Sequence, residues 1–329
     1  MKQRKLGQDG PMVSVVGYGA MSFTNFYGPA TDEGSMAVLD ACVDLGITHI
    51  DTSNVYGMGR SETVIGDWLK KRGGETPFTI ATKGGITREP GRRFNNDSNH
   101  LAEALDASLA RLGVEAVDLY YVHRREQDYE IEEVTEALAG FVKAGKTKAI
   151  GFSEIAPSSL RRAHAVHPVA AVQSEYSLSV RSPEMGLVQT CAELGASLVA
   201  FSPVGRAILT DRPHSAEQAG ELDFLKANPR FMGRNHAENL AITDGFRALA
   251  AEMGVAAATL AIAWLVHQGD HILPIPGTRH VKHLEEVAAG GSLDLTVEAL
   301  ARIEAVLPIG WAHGDRYNNT QWMGPERYC

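Results

Sequence analysis

The sequence predicts an α/β protein, a (β/α)8 barrel of the TIM type, and two observations indicate this fold class. Helical runs repeatedly end in a glycine and are followed at once by a strand-like apolar run, as in TCAELG-ASLVAFS at 190–202. Eight such apolar runs can be counted, and a chain of 329 residues has room for eight βα units. An open, doubly wound sheet would carry an early GxGxxG. Neither Gly17-Tyr18-Gly19 nor Gly57-Met58-Gly59 has the third glycine at the right spacing.

The predicted strands show little polar alternation, which is typical of parallel strands buried on both faces. They span 13–19, 48–53, 78–83, 118–123, 148–153, 169–176, 197–203 and 271–277. The helices before four of them end in glycines that suit the left-handed closing position: Gly46, Gly113, Gly145 and Gly195.

Two segments lie outside this repeat. Residues 4–14 contain a Gln-Asp-Gly turn and predict an N-terminal hairpin that closes the barrel floor. Residues 203–236, rich in Pro, Gly, His and Arg, predict a long irregular loop with a functional role. No linker or low-complexity run divides the chain, so we predict one barrel domain over residues 1–329.

Composition limits the kinds of partner. The 31 basic and 40 acidic residues give a net charge of −9, which argues against nucleic-acid or anionic-membrane binding. The basic N-terminus lacks the apolar run of a secretory signal, and the most apolar segment, 254–266, is too short to span a bilayer. We therefore expect a cytoplasmic protein, with its oligomeric state left open.

Cysteine and histidine spacing does not favour a metal site. Cys42, Cys191 and Cys329 are far apart, and the first two fall in helical patterns, which predicts buried reduced thiols. The pairs His164/His167 and His280/His283 have a ligand-like spacing without a nearby Cys or carboxylate partner. We read them as surface helix residues, with His283 near a cofactor phosphate as the alternative, and predict no metal.

Polar side chains follow the apolar strands at one predicted rim. Asp51, Lys83, His123, Ser153 and Ser202 each lie at a predicted strand end, and Gln173 lies within the sixth strand. Active sites of such barrels lie at the carboxyl ends of the strands. The sequence therefore predicts that these side chains converge on one site.

Tyr56, Lys83, Asp51 and His123 together predict proton transfer. A lysine ammonium near the phenol would lower the tyrosine pKa from its usual value of about 10, and Asp51 would keep that lysine charged. The phenol could then protonate a carbonyl oxygen, and His123 could hydrogen-bond the same oxygen. Singly, the four have ordinary alternatives: a turn cap, a rim aromatic, a solvated loop lysine and a packed histidine.

The chain resembles the aldo-keto reductase superfamily, through seven ordered motifs that span most of its length. They are IDTSNVYGMGRSE (50–62), IATKGG (80–85), DLYYVHRRE (118–126), AIGFSE (149–154), AVQSEYSL (171–178), AFSPVGRAILT (200–210) and LPIPGTRHVKHLEE (273–286). NPRFMGRNHAENL (228–240) is similar to the larger bacterial and plant members related to pyridoxal reductases.

This resemblance implies NADPH-dependent reduction of an aldehyde or ketone to the alcohol, with NADPH/NADP+ as cofactor. It implies that Tyr56 is the general acid, that Lys83 and Asp51 tune it, and that His123 orients the carbonyl. Ser153 and Gln173 are expected to hold the nicotinamide carboxamide, with Phe201 stacked on its ring where the family usually has a tyrosine. The remaining expected cofactor residues are Gly19, Met21, Ser202, Val204, Gly205, Arg206, Gly277, Thr278, Arg279, His283 and Glu286.

The phosphate assignments also have support from the residues. Loops after strands 7 and 8 are the usual phosphate site of such barrels. A Gly-Thr turn followed by Arg279 at a helix start suits a dianion, with an exposed surface arginine as the alternative.

Four residues at three sites depart from the family pattern: Val287 and Glu154 where Asn is common, and Glu126-Gln127 where Asp-Pro is usual. The first two leave cofactor affinity and strict NADPH preference open. Two other functions stay open on the same barrel. One is a non-catalytic NADP(H)-sensing regulatory subunit, and the other a lyase that uses Lys83 as a Schiff-base nucleophile. Aromatic residues 23, 26 and 27, together with the 203–236 loop and the C-terminal tail, would shape the substrate pocket.

Overall fold

Eight parallel strands form the centre of the molecule, and the computed structural model describes residues 1–87 and 89–328. A separate hairpin, β1 (Gln3–Lys5) and β2 (Met12–Ser14), precedes them. The barrel strands are β3 (Tyr18–Gly19), β4 (His49–Asp51), β5 (Thr79–Gly84), β6 (Leu119–Val122), β7 (Ile150–Ser153), β8 (Val169–Glu175), β9 (Ser197–Phe201) and β10 (Ile272–Pro274). Each pairs with the next along the chain. A strand lies within or largely within each predicted interval, which confirms the predicted fold class.

The first and last barrel segments meet through backbone hydrogen bonds. Gly17 N donates to Pro274 O at 2.9 Å, and Gly19 N donates to Pro276 O at 3.1 Å. A Cβ on Gly277 would lie 2.5 Å from Gly19 O, so the glycine permits this close approach. These contacts bring the carboxyl ends of all eight strands to one rim.

Helices flank the sheet, and most connect successive strands. In the described part of the chain they are α1 (Asp32–Asp44), α2 (Arg60–Lys71), α3 (Ser98–Leu112), α4 (Ile131–Lys143), α5 (Pro157–Val166), α6 (Leu187–Leu194), α7 (Ala216–Glu221), α8 (Gly233–Glu252), α9 (Ala257–Val266), α10 (Val281–Ala289) and α11 (Val297–Val306). The four predicted closing glycines have φ between +67° and +74°, as the left-handed position requires.

The hairpin closes the amino-terminal end of the barrel, as predicted. Leu6 and Val13 are buried in the cluster that fills the barrel interior, beside Tyr121, Val199 and Leu273. The turn is fixed because Gly7 N donates to Ser197 Oγ at 2.8 Å, at the start of β9. Apolar side chains thus fill the floor, and the polar strand ends lie at the opposite rim.

Two predictions of secondary structure were wrong in part. The run 13–19 is not one strand, because residues 12–14 pair with the hairpin and only 18–19 join the barrel. Residues 203–236 are not wholly irregular, since they contain α7, a 3₁₀ turn at Pro229–Phe231 and the start of α8.

The two helical cysteines, Cys42 and Cys191, are buried free thiols as predicted, and Cys329 lies outside the described residues. Within residues 1–87 and 89–328 no single helix is long and apolar enough to cross a membrane. Gly233–Glu252 and Ala257–Val266, bent by 89°, meet that criterion only as a pair.

Candidate active site

Lys83 and Asp51 form a buried ion pair at the rim. Asp51 ends β4 and Lys83 lies near the end of β5, the neighbouring strand, so their side chains meet. Lys83 Nζ donates to Asp51 Oδ1 and also to Thr52 O, the latter at 2.8 Å. Lys83 is 0% exposed and Asp51 is 1% exposed. Burial acts to lower the pKa of Lys83, but Asp51 and Tyr56 beside it raise that pKa above its usual value. The ammonium therefore stays charged at neutral pH.

The turn after β4 delivers Tyr56 to this pair. Tyr56 N donates to Ser53 O at 3.1 Å, and left-handed backbone at Gly57 (φ +60°) and Gly59 (φ +90°) lets the chain reverse into α2. The Tyr56 hydroxyl lies 3.4 Å from Lys83 Nζ.

The expected lowering of the Tyr56 pKa was wrong. Burial raises the pKa of Tyr56 more than the Lys83 charge lowers it, and the Asp51 carboxylate raises it further. The phenol is therefore held in its protonated form, which is the form that a proton donor needs.

His123 follows β6 and faces the phenol. Its ring lies edge-on to the Tyr56 ring with centroids 5.8 Å apart, and its Nδ1 is 3.0 Å from Ser53 Oγ. Burial, with the charges of Arg124 and Lys83, holds the pKa of His123 well below its usual value. The imidazole is therefore neutral at pH 7. Within the described part of the chain its Nε2 has no hydrogen-bond partner.

Ser153 and Gln173 are neighbours across β7 and β8, where their Cα atoms are register partners. Gln173 Nε2 donates to Asp51 Oδ2 at 2.7 Å, so the amide also orients the carboxylate that holds Lys83. Ser153 Oγ accepts from Arg124 Nη1 at 2.9 Å. Ser53 and Arg124 were not among the predicted site residues, although they lie inside the motifs at 50–62 and 118–126.

The loop after β9 has the features of an anion cradle. Ser202, Gly205, Arg206 and Ala207 all have φ between +50° and +76°. The backbone N–H groups of Val204, Arg206 and Ala207 donate to no acceptor in the described residues. Free N–H groups beside a guanidinium suit phosphate oxygens. Here the Arg206 guanidinium is bound to Glu175 Oε2 at 2.8 Å, and Phe201 packs against the barrel interior.

The loop after β10 offers a second anion site at the start of α10. Thr278 O accepts from the Tyr18 hydroxyl at 2.6 Å, and Arg279 Nη1 donates to Pro29 O at 2.5 Å, in the loop after β3. The first N–H groups of α10 have no partner within the helix. The predicted residues Gly277, Thr278 and Arg279 are thus brought beside a helix N-terminus.

The other predicted cofactor residues lie around these two loops. Glu286 accepts from Arg212 Nη2 at 2.7 Å at both of its oxygens, which ties α10 to the loop after β9. His283 lies beside Arg212 and His280, and burial lowers its pKa, as does the Arg212 charge. Gly19 ends β3, and the half-buried Met21 lies in the 3₁₀ turn that follows. Val287 lies on the buried face of α10 and packs in the core, so its side chain is not available to a ligand.

The chain matches the family model described as "Aldo/keto reductase family" over residues 15–308. It belongs to the aldo/keto reductase family. Among curated members, the aldo-keto reductase yakc of Schizosaccharomyces pombe, whose name carries NADP(+), is 41% identical over 320 residues, covering 95% of this chain and 94% of the relative. The aldo-keto reductase str7 of Strobilurus tenacellus is 37% identical over 322 residues, covering 95% and 94%.

Solved aldo-keto reductase structures share the barrel. The glycerol dehydrogenase of Gluconobacter oxydans has a TM-score of 0.80 at 25% identity, covering 93% of this chain and 94% of its own. An aldo-keto reductase from Bacillus halodurans, in its holo form, has a TM-score of 0.78 at 23% identity, covering 98% and 99%. The protein is therefore an enzyme of the aldo-keto reductase type.

Proposed function

We infer that the protein reduces an aldehyde or ketone to the alcohol, with NADPH as the reductant and Tyr56 as the proton donor. One observation carries this inference: the Tyr56 phenol lies 3.4 Å from the Nζ of a lysine that is buried and paired with Asp51. Family membership supports the reaction class, and the name of the S. pombe relative supports the cofactor.

The side chains supply proton transfer and charge stabilisation. When bound, NADPH supplies a hydride to the carbonyl carbon. Tyr56 donates its proton to the carbonyl oxygen, and its raised pKa keeps that proton in place at neutral pH. Lys83, fixed by Asp51, stabilises the phenolate that remains. Neutral His123 donates a hydrogen bond to the same oxygen from Nε2 in the tautomer whose Nδ1 accepts from the Ser53 hydroxyl, 3.0 Å away.

The cofactor would lie across the strand ends, in the donor set described above. Ser153 and Gln173 would bind the nicotinamide amide, with Phe201 against the ring. The free N–H groups of the loop after β9 fit a pyrophosphate, and Arg206, whose guanidinium is bound to Glu175, would support that loop from within it. Arg279 with the N-terminus of α10 fits the adenosine 2′-phosphate. Gly19, Met21, His283 and Glu286 would complete the site. We place the enzyme in the cytoplasm.

A steady-state assay tests the function. Purified protein would be mixed with NADPH and a panel of carbonyl compounds that includes pyridoxal, sugar aldehydes and aromatic aldehydes, with NADPH oxidation followed by absorbance. We expect turnover with at least one aldehyde, and alcohol as the product. Tight NADPH binding without turnover on any compound would favour a redox sensor. A borohydride-trapped adduct at Lys83 would instead favour Schiff-base chemistry, which a buried and paired ammonium disfavours.

A further inference from the structure

The C-terminal segment 316–326, which we call the strap, is fastened at both ends to Glu154. At one end the Arg316 guanidinium binds the Glu154 carboxylate, with Nη1 3.2 Å from Oε1 and Nη2 bonded to Oε2. At the other end Glu326 N donates to Glu154 O at 2.8 Å. Glu326 Oε2 also accepts from Ala156 N at 2.7 Å. The strap is therefore bonded at both ends to the segment that directly follows β7.

Glu154 stands next to Ser153 in a conformation that needs support. Its φ is +58°, a left-handed value that is uncommon for residues other than glycine, asparagine and aspartate. Its N–H donates to Gln173 O at 2.8 Å, and its Oε1 accepts from Ser174 Oγ at 3.0 Å and from Glu175 N at 2.9 Å. Strained backbone persists where surrounding contacts hold it. The guanidinium of Arg316 is the one full positive charge in hydrogen-bond contact with this carboxylate among the described residues.

Arg316 also touches the second carboxylate of this region. Its Nη1 lies 3.5 Å from Glu175 Oε2, the oxygen that accepts from Arg206 at 2.8 Å. The two arginines and two glutamates are all buried or nearly so. A side chain near the C-terminus thus connects the segment after Ser153 with the loop after β9.

We propose that Arg316 is a positioning residue for the nicotinamide end of the cofactor site, acting through Glu154 on Ser153. The proposal rests on the proposed function, in which Ser153 binds the nicotinamide amide. Loss of the guanidinium leaves Glu154 without its counter-charge in left-handed backbone. The dipeptide Ser153-Glu154 then shifts, and the nicotinamide amide loses its hydrogen bond to Ser153.

Arg327, directly after the strap, is a matched control for Arg316. Both Arg316 and Arg327 stack on the Trp322 ring, at 4.6 Å and 4.7 Å from its centroid. Arg327 is exposed and has no carboxylate partner among the described residues. Substitution of either arginine removes a charge and a ring contact, but only Arg316→Met breaks the link to Glu154.

The experiment compares two probes in four proteins: wild type, Arg316→Met, Arg316→Lys and Arg327→Met. Dissociation constants are measured for NADPH and for adenosine 2′,5′-bisphosphate, which carries the phosphate end of the cofactor but no nicotinamide. In Arg316→Met we expect NADPH to bind about tenfold more weakly, and the bisphosphate to bind within about twofold of wild type. Arg316→Lys should recover part of the NADPH affinity. Arg327→Met should match wild type for both probes.

Each other result has a defined meaning. A folded Arg316→Met protein that loses affinity for both probes in parallel overturns the proposal, because that pattern marks a general structural role. A folded Arg316→Met protein that loses affinity for neither probe also overturns it, because Arg316 then has no effect on the nicotinamide end. If Arg316→Met does not fold, Glu154→Gln decides by the same criterion, since it removes the charge on the other side of the pair. A wild-type protein that binds neither probe overturns the proposed function, and the present inference fails with it.

Discussion

The ammonium of Lys83 is buried against the carboxylate of Asp51 at the end of two neighbouring strands. Because Asp51 balances the charge of Lys83, the lysine lowers the Tyr56 pKa only in part, and burial of the phenol raises it overall. The pair therefore keeps Tyr56 protonated before the reaction and places a positive charge 3.4 Å from the oxygen that becomes negative afterwards.

Tyr56→Phe should abolish most of the turnover and leave the cofactor bound. The change removes the donated proton but keeps the ring that faces His123. We expect kcat to fall by about 100-fold or more, the typical contribution of a general acid, while the NADPH dissociation constant stays near wild type. Stopped-flow turnover and a binding titration measure the two quantities. A variant with wild-type kcat would show that the proton comes from another group.

Lys83→Met should reduce both activity and stability, and a double variant separates the two effects. The single change leaves Asp51 buried without its counter-charge, which costs about 3–5 kcal/mol in free energy of unfolding. In Asp51→Asn/Lys83→Met no charge is left unpaired, so urea unfolding should show much of that stability regained. Its kcat should stay low, because nothing stabilises the phenolate. Recovery of kcat in the double variant would remove Lys83 from the mechanism.

Five strand ends were predictable from the sequence, because at Asp51, Lys83, His123, Ser153 and Ser202 an apolar run stops at a polar residue. Tyr56 was found for the same reason, since the turn that carries it begins directly after Asp51. The direction of the Tyr56 pKa shift was not predictable, because it depends on how deeply the phenol is buried against a paired lysine. Helix α7 was missed, although Ser215 and Gln218 form the capping box that marks its start.

The link between Glu154 and Arg316 was beyond sequence reasoning. The two residues are 162 positions apart, and charged side chains are expected at the surface. From the sequence, Glu154 was a departure from the family pattern, and the C-terminal tail was expected only to shape the substrate pocket. Only the folded chain shows that one binds the other.

The pH dependence of carbonyl reduction should reflect the raised Tyr56 pKa and the lowered His123 pKa. A general acid works in its protonated form, so reduction is retained below the Tyr56 pKa and lost above it. The lowered His123 pKa keeps the imidazole neutral, so no acidic limb arises near its usual value of 6.5. We expect kcat for reduction to be flat between about pH 6 and 8 and to fall only in alkaline solution. A change of kcat with pH near neutrality that persists in His123→Gln would contradict the assignment of Tyr56 as the general acid.

Arg279 should decide the preference for NADPH over NADH. Arg279 directly precedes His280, the N-cap of α10, where a 2′-phosphate would bind. In Arg279→Ala we expect the dissociation constant of NADPH to rise by about 10- to 100-fold, and that of NADH to change little. Arg234→Ala is the control, because this α8 side chain is 90% exposed. Equal weakening of both cofactors would place the 2′-phosphate elsewhere.

Glu154 should make folding stability depend on pH in acid solution. Burial alone would raise the pKa of Glu154, but Arg316 and the hydrogen bonds to the carboxylate lower it to about 2 from a usual 4.5. A carboxyl whose pKa is lowered in the fold stabilises it above the unfolded value, and that stability is lost as the pH falls from 4.5 toward 2. At about 1.4 kcal/mol for each tenfold change in proton affinity, the loss is on the order of 3 kcal/mol.

Urea unfolding of wild type and Glu154→Gln across this pH range measures that contribution. The variant has no proton to take up at position 154, so its unfolding free energy should fall less steeply than that of wild type. Glu217→Gln, a substitution at an exposed position of α7, should follow the wild-type curve. Parallel curves for wild type and Glu154→Gln would mean that the Glu154–Arg316 pair does not hold the carboxylate ionised, and that the strap is fastened by its other contacts.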